Sequence, residues 1–322
     1  DDGADRRASS RPRCSLAGGA EARPADPPVR PRKAGAMKRI ALVLPEIFEG
    51  GAMLGILERL ARRQPLQVQL CSQEQQLSAS QSQLLGWLQE MNAETSLHLA
   101  VTMDCLEAMK PDLVIVASET PNAARPVSWK LVQDLSRRSP LPVWIMNAHT
   151  GPPCRVTALI DPDRESRLDP CLADEVLRLS FKLAHALNIP MNIINVWYLH
   201  EEGLLRSWRI RMPEQEVAAR RRRAAWIAQA DLARVLSTLP PELTWNEIHC
   251  VQGPVIDSLD SILPSDTLIV TGSEGRDGWT ARLQPNLAET LCRRTMAEIV
   301  IIKRPNSQTK SSWDGTTLQA PI

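Results

Sequence analysis

No stretch of this 322-residue chain approaches the roughly 18 uninterrupted apolar residues that a membrane-crossing helix needs, so no membrane partner is expected. The first 36 residues hold no apolar run of the kind a secretory signal carries. The seven cysteines (Cys14, Cys71, Cys105, Cys154, Cys171, Cys250 and Cys292) form no CxxC pair and are odd in number. That argues against a disulfide or zinc framework and for a reduced, cytoplasmic chain. No G-x-G-x-x-G follows the first strand, where Gly50-Gly51 and Gly55 stand instead, so a dinucleotide oxidoreductase is disfavoured. Ser273 is not in a G-x-S-x-G elbow, and His98, His185 and His200 have no recognisable acid or nucleophile partner. No catalytic residue is therefore assigned and no enzyme is expected. Neither His149 with Cys154 nor His249 with Cys250 completes a four-ligand metal set. A large charge excess is missing too: 38 basic and 37 acidic residues leave +1, made of +3 in residues 1–36 and −2 in the rest. A mildly acidic body does not suit a general nucleic-acid partner.

What is present is enough apolar sequence, 43%, for ordinary cores, and a length that suits two domains. Residues 1–36 are rich in Arg, Pro, Ala and Gly, with Leu16 and Val29 as their large aliphatics, and are expected to be a disordered extension. Met37 reads as the start of folded sequence, and residues 306–322 as a flexible tail. Between them strands alternate with helices. Strands are predicted at 39–44, 67–71, 96–101, 112–117 and 141–146, with helices at about 51–63, 77–91, 103–109 and 126–138. The order then repeats. Strands are predicted at 156–160, 192–197, 245–251, 267–270 and 298–302, with helices at 172–187, 214–239, 254–263 and 287–294. The stripe Leu172, Val176, Leu179, Leu183, Ala186 steps by three and four, as one buried helix face requires. The expected fold is therefore α/β: two tandem five-stranded, mostly parallel, doubly wound sheets, one in residues 37–148 and one in 155–305. Gly151-Pro152-Pro153 breaks the chain between them.

The chemistry-bearing pattern lies in the second half. The strand at 267–270 runs into Thr271-Gly272-Ser273-Glu274-Gly275, where glycines let backbone N–H groups approach an anion. Open α/β sheets bind ligands at the carboxyl ends of their strands. Further on, Asn286 and Glu289 have the spacing of a capping box at a helix start, a place suited to a phosphate. Taken with Ala158-Leu159-Ile160-Asp161, Asn195-Val196-Trp197, Val251-Gln252-Gly253-Pro254, Asn286-Leu287-Ala288-Glu289 and Ile299–Lys303, in that order and spacing, the second half resembles a universal stress protein domain along nearly its whole length. The tandem layout and Ile160-Asp161-Pro162-Asp163 resemble the E-type tandem members of bacteria. The first half is similar only in the order of its elements and reads as a divergent copy.

The resemblance implies a stress-response protein whose second half has an adenine-nucleotide site, ATP being the first candidate ligand. Asp161 would hold the base, Val196 would line its pocket, and Thr271, Gly272 and Gly275 would wrap the ribose and phosphates. Asn286 would stand where the family's G-x2-G-x9-G-(S/T) loop has its Ser or Thr. Pro285 replaces the last glycine and has no N–H to donate, so the phosphate half of the loop is degraded. Mg²⁺ near Asp161 and Asp163 would come only with such a ligand. In the first half, Pro45-Glu46 takes the Asp position and Ser118–Val127 has no glycine, so no nucleotide is expected there. The halves are expected to pack as an internal pseudo-dimer, with a homodimer of the chain open. The competing reading is a protein-binding adaptor, or a binder of another small ligand. Arg220–Arg223 reads as a solvated helix start balanced by Glu214 and Glu216. Trp129, Trp144, Trp197, Trp226 and Trp245 read as core or interface residues.

Overall fold

The structure is a computed structural model that describes residues 37–44, 51–72, 75–91, 93–99, 102–117, 134–135, 139–146, 151–160, 171–199, 201–260, 262–273, 290–291, 294 and 297–303. The first five strands are β1 (Arg39–Leu44), β2 (Gln67–Ser72), β3 (Glu94–His98), β4 (Leu113–Ala117) and β5 (Val143–Met146). The second five are β6 (Arg155–Ile160), β7 (Met191–Trp197), β8 (Glu247–Gln252), β9 (Thr267–Ser273) and β10 (Glu298–Lys303). The described helices are α1 (Gly51–Ala61), α2 (Ala79–Glu90), α3 (Met103–Met109), α4 (Cys171–Leu187), α5 (Glu202–Leu205), α6 (Glu214–Ser237) and α7 (Val255–Asp260).

Within each half all strand pairs are parallel, in the order β3-β2-β1-β4-β5 and its counterpart β8-β7-β6-β9-β10. This is the doubly wound α/β class. Central strands such as β1 (RIALVL) and β4 (LVIVA) are buried almost throughout, as helices on both sheet faces demand. Helix ends follow local chemistry. The side chain of Ser78 accepts the Gln81 N–H, and the Gln81 side chain accepts the Ser78 N–H, so α2 starts in a capping box. All five positions of the α4 stripe are buried. That helix stops at Asn188, which takes the left-handed conformation at φ 58°.

Two five-stranded sheets were expected, but the two halves form one ten-stranded sheet. The fifth strands pair antiparallel, Ile145 with Ile299, Trp144 with Val300 and Val143 with Ile301. Every residue of β5 and β10 is buried. Left as free edges, they would expose apolar surface and unpaired backbone groups, and pairing with each other removes both costs. Trp144 is fully buried at this seam, and its indole N–H donates to Glu298 Oε2 at 2.8 Å. The cluster around it draws on both halves, from Ile40, Leu42 and Ile56 to Leu172, Val176 and Val300. A second cluster on the other face runs from Val43 and Val116 through Ile145 and Ile299 to Ile194 and Leu259.

Smaller departures from the sequence reading have equally local causes. β3 starts two residues earlier than predicted because its register follows β2, Gln67 opposite Glu94 through Cys71 opposite His98. β9 runs three residues past 270, its Gly272 and Ser273 held by pairing with Ile302 and Lys303. A short helix, α5, interrupts the predicted connection before α6. Only Asp134 and Leu135 of the helix predicted at 126–138 lie within the described residues, and the two terminal tails lie outside them.

Candidate functional site

Strand order reverses between β6 and β9: the chain leaves β6 for β7 on one side and returns to β9 on the other. The carboxyl ends of such neighbouring strands open the crevice in which doubly wound sheets bind ligands. Ile160 ends β6, Trp197 ends β7 and Ser273 ends β9, so the second half's switch point lies among these residues.

Two of the six residues singled out from sequence share one face of the sheet there. Val196 belongs to the same cluster as Ile194, Leu259 and Ile269, and Thr271 follows Ile269 by two positions and so faces the same way. Both are buried. One strand, β6, separates them, and Ile194 rather than Val196 is level with Thr271, which sets the two backbones about 12 Å apart. Gly272 points to the opposite face. A Cβ there would stand 2.7 Å from Cγ and Cδ2 of Leu172, so the first turn of α4 packs directly on this residue. It is a ladder residue of β9, not part of a loop. Asp161, Gly275 and Asn286, with Asp163 and Pro285, lie outside the described residues.

Gly253 belongs to the same edge. Its N–H donates to the carbonyl of Trp197 at 3.0 Å. Its φ of 139° and a Cβ position 2.7 Å from Ser258 Oγ leave no room for a side chain. The chain thus turns from β8 into α7 tightly against β7. Asn195 has a structural task that the sequence does not signal. It is buried, and its side-chain amide donates to the carbonyl of Ala228 at 3.3 Å, tying β7 to α6. Leu172 was recognised as a stripe residue, yet nothing in one sequence pairs it with a glycine 100 positions away.

Elsewhere the charged and thiol groups have structural partners. Arg221 bonds Glu202 of α5 and Arg206 bonds Glu214 at 2.7 Å, and the charge of Glu214 also favours the Arg221 guanidinium. Arg220, Arg222 and Arg223 are exposed. Of the two roles read for the tryptophans, core or interface, Trp226 at 68% exposure leaves only the second; Trp144 is fully buried, and Trp197 and Trp245 are half-buried. Burial, with Cys105 nearby, pushes the Cys71 thiol up from 9.0 to about 12. The exposed Cys105 thiol is lowered by hydrogen bonding to Thr102. His249 lies 3.0 Å from Glu247 in an exposed pair. Among the described residues no three His, Cys, Asp or Glu side chains gather as a metal site, and no helix is long and apolar enough to cross a membrane.

No protein-family model matches the chain, and no curated protein matches it. Among solved structures the fold is similar to that of a functionally unknown protein from Pseudomonas aeruginosa, at 18% identity and a TM-score of 0.57, covering 83% of this chain and 93% of that one. It is equally similar to a candidate universal stress protein from the same organism, at 19% identity and a TM-score of 0.57, covering 83% and 94%. A universal stress protein from Archaeoglobus fulgidus follows at 14% identity and a TM-score of 0.53, covering 83% and 98%. At these identities the likeness is one of fold: the mostly parallel α/β sheet of universal stress proteins. A match over 83% of the chain takes in both halves of the sheet.

Proposed function

We propose that this chain is a tandem universal stress protein of the bacterial stress response, acting in the cytoplasm by binding rather than by turnover. Its second half would take an adenine nucleotide, and its first half would be a divergent copy that holds none. The observation that supports this best is the switch point itself. β6 and β9 end side by side, Val196 and Thr271 share a face there, and the chain continues from Thr271-Gly272 toward Gly275. On this reading Asp161 and Val196 hold the base, and Thr271, Gly272 and Gly275 lie along the ribose. Asn286 would cap the phosphate end, where Pro285 withholds an N–H. Mg²⁺ would enter only with the phosphates.

The expected outcome is weak ATP binding by the native chain in calorimetric titration. The double change Pro285→Gly with Asn286→Ser restores one charge-assisted hydrogen bond and should tighten binding about ten- to a hundredfold. Asp161→Ala in that background should loosen it again. Low-micromolar binding by the native chain, or no effect of the double change, would sink the role given to Pro285.

A second reading, a protein-binding adaptor with a vestigial pocket, has its own support. Leu172 packs on Gly272, so that glycine already has a packing reason. Trp208 is 73% exposed and Trp226 is 68% exposed, and exposed tryptophans beside arginines are typical anchors of protein interfaces. Mass spectrometry of small molecules retained by the purified chain separates the two: a bound adenine nucleotide favours the first.

A further inference from the structure

The two halves meet a second time at the far end of β6 and β7 from the switch point. The linker is laid across α1. Gly55 lets Pro152 close in, for a Cβ there would stand 3.1 Å from Pro152 Cγ. The Pro153 carbonyl accepts from Arg59 Nη1 at 3.1 Å, and the Cys154 N–H donates to the Asp266 carbonyl at 2.9 Å. The C-terminal ends of α1 and α4 converge there. Arg63 Nη2 donates to Oδ1 of Asn188, the left-handed residue that ends α4, at 2.5 Å. Between these elements lies an open cleft of about 540 Å³, lined by Arg59, Arg62, Arg63 and Cys154 on one side and Leu187 to Pro190 on the other.

Its chemistry is one-sided. Arg59, Arg62 and Arg63 are spaced i, i+3, i+4 and share one flank of the end of α1. Among the described residues no carboxylate lines the cleft. Glu58 pairs with Arg62 at 2.5 Å, but Arg59 and Arg63 bond neutral oxygens. The two helix ends bring about half a unit of negative charge each, so a positive excess remains after Glu58 is counted. Each guanidinium has five N–H donors in a planar fork that fits phosphate, and the bonds just described leave most of them free. The volume falls in the range of about 300–1,000 Å³ typical of small-molecule sites and exceeds what one phosphate fills. Leu187, Ile189 and Pro190 supply an apolar wall for the rest of a ligand.

We propose that this cleft is a ligand site for small organic phosphates, gripped by Arg59, Arg62 and Arg63 and closed by residues of the second half. It is independent of the nucleotide site proposed at the switch point. A bound phosphate bridges α1, the linker and the end of α4, and so fastens one half to the other.

The test is calorimetric titration of the full chain with inorganic pyrophosphate at fixed ionic strength. One-to-one binding is expected. Arg59→Gln with Arg63→Gln should weaken it about tenfold or more, because charge-assisted bonds are lost. Arg62→Gln, at a side chain 70% exposed that makes no bond to the second half, should weaken it severalfold without disturbing the junction. Arg222→Gln with Arg223→Gln removes the same charge elsewhere and should change nothing. Asp161→Ala should change nothing either, which separates this site from the nucleotide reading. No binding by the native chain, equal losses in the Arg222/Arg223 variant, or retention of binding in both cleft variants would overturn the proposal.

Discussion

Gly272 illustrates how one residue can carry two meanings. In the sequence it opens a glycine-rich stretch of the sort that approaches phosphates; in the folded chain it makes room for Leu172. The contact has a measurable signature. Gly272→Ala pushes a methyl group into Leu172 and should cost about 1–3 kcal/mol, the usual range for overpacking. In a Leu172→Ala background the same change should cost at least about 1 kcal/mol less, because the crowding partner is gone. Urea unfolding of the four proteins in this cycle gives the answer. An equal cost in both backgrounds would mean that packing does not explain the glycine, and would return it to the ligand.

At the scale of elements, β5 and β10 decide the architecture. Both are short, apolar and buried on two faces, and their antiparallel pairing turns two half-sheets into one. The polar group at this seam is the Glu298 carboxylate, which the Trp144 indole N–H serves. Trp144→Phe keeps most of the apolar volume and removes that donor. Leaving a buried carboxylate short of a bond should destabilise the protein by about 1–3 kcal/mol, read from the midpoint of urea unfolding. A change below about 0.5 kcal/mol would show that Glu298 is satisfied without the indole. The helices that flank the seam, α1 and α4, are each specified by their own apolar stripes: Met53, Ile56, Leu57 and Leu60 in the first, Leu172 through Ala186 in the second.

The whole molecule depends on both halves being present. One core cluster runs from Leu84 of α2 to Leu232 of α6, across the seam. A fragment of residues 37–150 would expose β5 along its full length, an apolar edge with unpaired backbone groups. It should therefore dimerise or aggregate, while the full chain stays free of that edge-to-edge association. Light scattering on the two purified proteins at the same concentration distinguishes them. A monomeric, stable fragment would show that the seam is not needed to cover β5. The linker belongs to the same unit, since Pro153 is buried and its carbonyl is held by Arg59. Residues 151–154 should accordingly resist proteolysis in the native protein.

Much of this was already written in local patterns. The apolar runs of β1, β4, β6 and β10, the α4 stripe and the doubly wound order follow from periodicity and burial, which act over a few residues at a time. The same is true of the switch point, because Val196 and the Thr271-Gly272 stretch stand at strand ends that the sequence itself marks. What only the tertiary structure decided are the meetings of distant residues. Edge pairing between β5 and β10 joins Trp144 to Glu298, and ladder pairing with β10 keeps Thr271 to Ser273 in a strand that local propensity ends at 270. The contact of Leu172 with Gly272 and the convergence of Arg59 and Arg63 on Pro153 and Asn188 are of the same kind. Each depends on how sheets twist and helices cross, which places residues tens to more than a hundred positions apart within bonding distance. No local signal records that geometry, because either partner alone is compatible with many others.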